Sequence, residues 1–409
     1  MSASQRRLHW PLARRGRRLY PARHVDVIIL AARYGAGHWQ VASAVREALQ
    51  LVHPGQESLL LDYMELVNPA LNRTVQSLYL ASIKHFPEGY GWFYRATSAI
   101  PADSPFQALL NSLGRERLAR MISETSPRAI ISTFPTQAGV LSDMKRLGQI
   151  HVPTVTVITD NTVHSQWIHS HTDLYCVSSA EVAANLLARG VEPSRVAVTG
   201  IPVREAFRGR GQDRDEIRRR YRFDPQLPVV LVMSGAFGAL GGVDQACRAL
   251  THMGRPLQVV VVCGRDRVLA QRLQRTTRHY PRPVHVFGYV EAVADLMAVS
   301  DLLVTKAGGV TTAEALAMGI PTVIFRPIPG QEEANADFLE RHGAALSASN
   351  SEELQAVCGI LLGDPAARMA MAGHARAIGQ PDAARRVASL ALGLSGLAEL
   401  AASPTGTRA

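Results

Sequence analysis

Short runs of β-branched and leucine side chains alternate with segments of helical period along most of the 409-residue chain. Val25–Ala31 is apolar at every position except Asp26, which predicts a strand buried on both faces. A helix over 39–51 and a strand over Ser58–Leu61 follow. Further strands are expected at Ala129–Thr133, Thr154–Thr159, Leu174–Val177 and Arg195–Thr199. Gly200-Ile201-Pro202-Val203 breaks this rhythm and an arginine-rich polar stretch (208–222) follows it. The rhythm restarts with Pro228–Met233, Gln258–Cys263, Val284–Phe287, Leu302–Thr305 and Thr322–Phe325, and helical patterns occupy 351–363 and 366–377. Strands alternating with helices in two successive blocks predict an α/β protein of two doubly wound, Rossmann-like halves, joined near 204–225. The boundaries drawn from these shifts are 1–23, 24–205, 206–381 and 382–409. The stretch 382–401 reads as a last helix that packs back onto the first half.

Between residues 62 and 114 the strand rhythm stops. The segment is helix-like and aromatic, with Tyr63, Tyr79, Phe86, Tyr90, Trp92, Phe93, Tyr94 and Phe106 beside Lys84, His85 and Arg95. An ordinary helical layer on the sheet would have this composition. So would an amphipathic element that faces lipid, because aromatic rings and cations favour the headgroup level.

Hydrophobic residues at 47% and charged residues at 19% fit a packed globular protein. The formal charge is +10, and Arg6, Arg7, Arg14, Arg15, Arg17, Arg18 and Arg23 supply seven of it with no acidic residue among them. Basicity thus reads as mostly a property of the tail, which could meet nucleic acid, an anionic leaflet or only solvent. Trp10, Leu12, Leu19 and Tyr20 interleave with these arginines, which suits an interface better than a duplex groove. No apolar export core follows the arginine pairs, and no window approaches 18 uninterrupted apolar residues. Any membrane contact is therefore expected to be peripheral. The four cysteines have no CxxC spacing and read as buried thiols of a reducing compartment.

Four turns carry candidate chemistry. Tyr34-Gly35-Ala36-Gly37-His38 follows the first strand and opens a helix, where glycines allow close backbone approach and the helix N-terminus favours anions. A dinucleotide fingerprint would need a third glycine where Gln40 stands, although Asp62 could serve as its ribose acid. His38 is placed there either as a general base or as a helix-capping group. Ser234-Gly235-Ala236-Phe237-Gly238 is a second glycine turn at a strand's carboxyl end. The third turn, Thr305-Lys306-Ala307-Gly308-Gly309-Val310-Thr311-Thr312-Ala313-Glu314, runs from a strand through two glycines into a helix whose start can hold a diphosphate. Glu314, one turn in, can accept two ribose hydroxyls. Pro329-Gly330-Gln331-Glu332-Glu333-Ala334-Asn335 offers amides and carboxylates for hexose hydroxyls, or simply the polar first turn of a helix. Asp160, His164, His169, His171 and Asp173 have metal-ligand types at no standard spacing, and Asp213-Arg214-Asp215 looks like a helix start rather than a metal motif.

In these motifs the chain resembles the monogalactosyldiacylglycerol-synthase-like glycosyltransferases, and within them the bacterial diacylglycerol glucosyltransferases. The matching stretches are YGAGHWQVA (34–42), ITD…H…W (158–167), VTGIPVREAF (198–207), VVVVCGRD (259–266), GYVEAVADLMAVSD (288–301) and TKAGGVTTAEALAMGIP through PGQEEANADFLERHGAA (305–345). The resemblance implies a GT-B fold, with an acceptor and membrane-binding domain over 24–205 and a UDP-sugar domain over 206–381. It implies His38 as catalytic base and Gly308, Gly309, Val310, Thr311 and Thr312 around the diphosphate. Gly235 and Gly238 would line the donor site, Phe287 to Tyr289 would hold uracil, and Glu314 the ribose. Gln331 and Glu332 would hold the hexose, with Glu332 counted beside His38 as catalytic and Asn335 nearby. Gly37, Asp160, Trp92, Phe93, Tyr94, Lys84 and Arg95 would face the acceptor or the membrane. Phe237 stands where relatives often carry a histidine, and Asn161 replaces an aromatic, so acceptor choice stays open.

The expected reaction is inverting transfer of a hexose from UDP-glucose, or alternatively UDP-galactose, to the hydroxyl of diacylglycerol. It would occur peripherally at an anionic membrane surface on the cytoplasmic face, with no metal or other cofactor and no nucleic-acid partner. The rivals are transfer to another lipid-linked acceptor, UDP-sugar epimerisation on the same fold, a non-catalytic UDP-sugar sensor, and nucleic-acid binding through the tail.

Overall fold

A computed structural model describes residues 24–33, 36–67, 89, 97, 114–209, 213–235 and 240–396. The first sheet contains β1 (Val27–Ala31), β2 (Ser58–Asp62), β3 (Ala129–Ser132), β4 (Thr154–Val157), β5 (Leu174–Val177) and β6 (Val196–Val198), in the order β2-β1-β3-β4-β5-β6. The second contains β7 (Val229–Met233), β8 (Gln258–Val262), β9 (Val284–Phe287), β10 (Leu302–Thr305), β11 (Thr322–Phe325) and β12 (Ala345–Ala348), in the order β12-β11-β10-β7-β8-β9. All pairings are parallel. Central strands such as β1, β7 and β8 are buried at every residue, as their unbroken apolar runs predict.

The first-sheet helices are α1 (Ala36–Val52), α2 (Tyr63–Val67), α3 (Arg115–Thr125), α4 (Pro135–Arg146) and α5 (Ala180–Ala188). The second set comprises α6 (Arg214–Tyr221), α7 (Val243–Thr251), α8 (Arg267–Thr276), α9 (Val293–Val299), α10 (Gly309–Met318), α11 (Gln331–Arg341), α12 (Ser351–Gly363) and α13 (Pro365–Ile378). Helix α14 (Ala383–Leu394) returns to the first sheet, where Ala384, Val387, Ala388, Ala391 and Leu392 share a core with Val27, Ile29, Val41 and Val45. It ends earlier than the 382–401 pattern suggests, and residues 397–409 lie outside the described residues. The crossing is tied by Arg385 and Arg208, both paired with Glu205, and by Arg208 with Asp382 at 2.6 Å.

Strand β12 escapes sequence reading because Ala-Leu-Ser-Ala lacks β-branched residues; its pairing with β11 supplies the order instead. The expected strand 154–159 stops at Val157; the Ile158 amide still donates to the Cys176 carbonyl at 2.9 Å and its side chain stays in the core, while Thr159 and Asp160 reach His38 and Asn335. Asp213 caps α6 by accepting from the amides of Asp215 and Glu216, the helix start its sequence suggested.

Candidate active site

In an open parallel sheet the chain leaves neighbouring strands in opposite directions at one point, and a crevice opens there at the strands' carboxyl ends. The first sheet reverses between β1 and β3, the second between β7 and β10. The described residues of the four turns that carry candidate chemistry sit on or beside these two points.

His38 lies in the first turn of α1. Its Nδ1 is 2.7 Å from the carbonyl oxygen of Thr133, at the end of β3. A carbonyl only accepts, so Nδ1 carries the proton and donates it, which leaves Nε2 with a free lone pair. The Thr159 hydroxyl stands 3.3 Å from the same Nδ1, and Thr133 Oγ1 donates to the His38 carbonyl at 3.1 Å. Phe134 meets the imidazole edge-on at 4.8 Å and Trp167 flanks it at 6.2 Å. Desolvation among these groups lowers the imidazole pKa to about 4, against the weaker opposing effect of the Thr133 bond. His38 is therefore neutral and oriented at neutral pH, the state a general base requires.

Across the cleft, α10 begins at Gly309. Its first amides have no carbonyl acceptors within the helix and present a positive dipole end. The two threonines there differ. Thr312 Oγ1 donates to the carbonyls of Gly308 and Gly309 at 3.1 and 3.0 Å, so its hydroxyl hydrogen is used inside the helix. Thr311 is half-buried with no such bond, so it is the hydroxyl available to an anion. Val310 and Ala313 pack against the core of the first sheet, and a Cβ on Gly37 would stand 3.3 Å from Val310 Cγ2. Gly309 approaches still closer: a Cβ there would lie 2.0 Å from the Thr159 carbonyl oxygen. Two helix N-termini thus abut, and glycine is the residue that permits it.

Glu314 is buried one turn further on and has no hydrogen-bond partner among the described residues. Desolvation raises its pKa to about 8, with the Arg204 charge pulling the other way. Arg204 comes from the segment between the two sheets. It donates to the Glu291 carbonyl at 3.4 Å, while its buried Nε has no partner. A carboxyl and a guanidinium left short of partners in one crevice suit a polar ligand that supplies hydroxyls.

Helix α11 carries the fourth turn. Glu332 is buried, paired with Lys306, and its second oxygen accepts from the Ile328 amide at 3.0 Å. Gln331 is half-buried beside it, and Glu333 is spent capping the helix through the Gly330 amide at 2.9 Å. Asn335, expected near the hexose, is fully engaged elsewhere. Its Nδ2 donates to Asp160 Oδ1 at 3.1 Å and to the Ala307 carbonyl at 2.9 Å, while its Oδ1 accepts from the Asn161 amide at 2.7 Å. It is a clasp between the two sheets' loops rather than a free amide. Asp160, thus held, has its pKa raised to about 6, first by desolvation and then by the Glu332 charge, against the Asn335 bond and Lys306. Gly235, at φ +76°, brings the turn after β7 close to Lys306.

The loop expected to hold a base divides in two. Phe287 faces inward against Tyr221 and Phe223, at 5.7 and 6.4 Å, whereas Tyr289 is exposed with the Arg265 guanidinium 5.5 Å from its ring. Tyr289 is thus the ring open to a ligand. Gly238, Lys84, Trp92, Phe93, Tyr94 and Arg95 lie outside the described residues, as do Tyr34 and Gly35 of the first turn. The histidine-rich segment holds no metal set: Asp173 binds Lys145 and Thr154, His164 accepts from the Gln166 amide, and His169 contacts the Gln166 carbonyl. Among the described residues no group of three metal-ligating side chains converges. Thr133, Thr159, Lys306 and Arg204 were not singled out by sequence reasoning. Thr159, Lys306 and Arg204 lay inside the motifs quoted, but nothing local distinguished them.

Residues 38–203 match the family described as monogalactosyldiacylglycerol (MGDG) synthase, and residues 229–385 match the glycosyltransferase family 28 C-terminal domain. A processive diacylglycerol beta-glucosyltransferase of Bacillus licheniformis is 35% identical over 83% of this chain and 87% of its own. The protein of the same name from Bacillus subtilis is 36% identical over the same shares. Among solved structures, Acinetobacter baumannii MurG superposes with a TM-score of 0.60 at 18% identity, covering 90% of this chain and 99% of that one. The UDP complex of S. aureus MnaA superposes with a TM-score of 0.63 at 13% identity, covering 94% and 100%. These two share the fold, which is GT-B.

Proposed function

The chain belongs to the family of the processive diacylglycerol beta-glucosyltransferases, and from that membership we propose that it transfers a hexose from a UDP-sugar to the hydroxyl of diacylglycerol. The observation that carries the mechanism is the imidazole of His38. Its Nδ1 hydrogen is committed to the Thr133 carbonyl, so Nε2 is free to take a proton at the mouth of the first-sheet crevice.

The acceptor hydroxyl loses its proton to His38 Nε2 as its oxygen attacks the anomeric carbon. The bond from that carbon to the β-phosphate oxygen breaks, and its electron pair leaves with UDP. The α10 amides and Thr311 stabilise the departing charge, the role a cation would otherwise fill. Attack opposite the leaving group inverts the anomeric centre and gives a β-linked glycolipid. Glu314, with Arg204 beside it, receives the ribose hydroxyls; Gln331 and Glu332 receive those of the hexose; Tyr289 lies at the uracil end. The Asn335 clasp and the Gly309 contact draw the halves together, which excludes water that would hydrolyse the donor.

Glucose is the preferred sugar, in line with the relatives' names. The enzyme works peripherally on the cytoplasmic face of a membrane; among the described residues no helix is long and apolar enough to cross one. The test is UDP release by purified protein with diacylglycerol in vesicles, with UDP-glucose and UDP-galactose run side by side and the lipid products separated. Lipid-dependent turnover with UDP-glucose supports the reading. Tight UDP binding without turnover on either donor overturns it.

A further inference from the structure

The arginine-rich tail does not hold all the excess positive charge. Residues 241–290 carry eight arginines against two acidic residues, Asp244 and Asp266, for a net +6. With +7 in residues 1–23, the rest of the chain is left at −3. Within the folded body this stretch carries a larger excess than the arginine-rich segment 208–222, where seven arginines face three acidic residues, and it is built on α7, α8 and the turn after α8. Helix α8 buries Leu269, Ala270 and Leu273 and exposes Arg267, Gln271 and Arg275 on one side, and Arg278 in the 3-10 turn that follows (Thr277–His279) continues the spacing. Asp266 caps α8 and Asp244 pairs with Arg272 at 2.5 Å, and with both carboxylates counted the stretch keeps its net +6. Two of the more exposed large apolar side chains, Val268 at 74% and Tyr289 at 55%, stand at the same end of α8. That end follows the carboxyl edge of β8, so the basic face starts at the rim of the active-site cleft.

We propose that the α8 face of the second domain is a docking surface for an anionic lipid leaflet, with Arg267, Arg275 and Arg278 as its electrostatic contacts and Val268 as an apolar one. The inference rests on the lipid-acceptor reading, which requires the enzyme to reach a membrane. A leaflet fits this surface because it presents negative charge over an area while tolerating a flat, sparsely apolar contact. The surface gives the donor domain its own hold on the membrane, so both walls of the cleft meet the plane that supplies the acceptor.

The test compares the full chain with the triple variant R267Q/R275Q/R278Q. Binding is measured by sedimentation with phosphatidylglycerol–phosphatidylcholine vesicles that contain no diacylglycerol. One arginine close to an anionic leaflet is worth roughly fivefold in partition, so loss of three predicts weakening by about a hundredfold. A control variant, R120Q/R189Q/R219Q, removes three exposed arginines from other faces and should bind within about threefold of wild type. Turnover of diacylglycerol in neutral detergent micelles should be unchanged in the triple variant. Vesicle binding unaffected by the triple change, or reduced equally by the control, overturns the surface. So does loss of duplex-DNA binding in the triple variant without loss of vesicle binding. Absence of micellar turnover in wild type would instead count against the acceptor reading and leave the vesicle result standing.

Discussion

Gly309→Ala separates cleft closure from the folding of either half. Gly309 has no positive φ, so an alanine there is locally acceptable, and in a helix it is favoured over glycine by about 1 kcal/mol. The obstruction lies entirely in the other half: the new Cβ would sit 2.0 Å from the Thr159 carbonyl oxygen and 3.1 Å from Asp160 Oδ1. A carbon cannot approach a carbonyl oxygen much closer than about 3.3 Å, so the halves must part by more than roughly 1 Å. The Asn335 bonds to Asp160 and to the Asn161 amide, at 3.1 and 2.7 Å, would stretch with it. The His38 base and the α10 start stand on opposite sides of this gap, and a 1 Å misplacement of reacting groups costs on the order of a hundredfold in rate. The expected result is a fall of about a hundredfold in lipid-dependent kcat/KM. UDP affinity, measured by calorimetry, should stay within about threefold, while the melting temperature should fall by a few degrees as the buried Asn335 bonds are lost. Turnover within about threefold of wild type would refute the close contact as a determinant of catalysis.

Other changes address single groups. His38→Ala should lower turnover by roughly 10²–10⁴-fold with UDP binding nearly intact; retained turnover would remove the base assignment. Because burial depresses the His38 pKa to about 4, its neutral form persists well below pH 6.5, and the acid limb of kcat/KM should fall near pH 4; an inflection at 6.5 would contradict that environment. Glu314 is raised to about 8, so the folded state holds a proton that the unfolded state releases above about pH 4.5. Native stability should therefore drop as pH rises from about 4.5 to 8, and Glu314→Gln should gain melting temperature relative to wild type over that range while raising KM for the donor. Asn335→Asp places a second carboxyl against Asp160, whose pKa is about 6; its activity relative to wild type should recover as pH falls below 6, when the pair can share a proton. A deficit independent of pH would argue against the clasp.

The sequence alone determined what depends on a few neighbouring residues. Eleven of the twelve strands read from short apolar runs, and the inner ones, such as β1, β7 and β8, are covered on both faces, which requires such a run. The glycine turns at the strand ends and the cap at Asp213 were equally legible, since backbone conformation and helix amides act over one turn. The tertiary structure decided the partners. His38 becomes a base with a defined tautomer through Thr133, 95 residues away, and Asn335 becomes a clasp through Asp160, 175 residues away. The arginines of 241–290 could be counted in the sequence, but their stripe on α8 depends on which side of the helix the core of the second sheet buries. Periodicity and helix caps are written by backbone geometry within a few residues; long-range hydrogen-bond partners and desolvation arise only when the fold brings distant segments together.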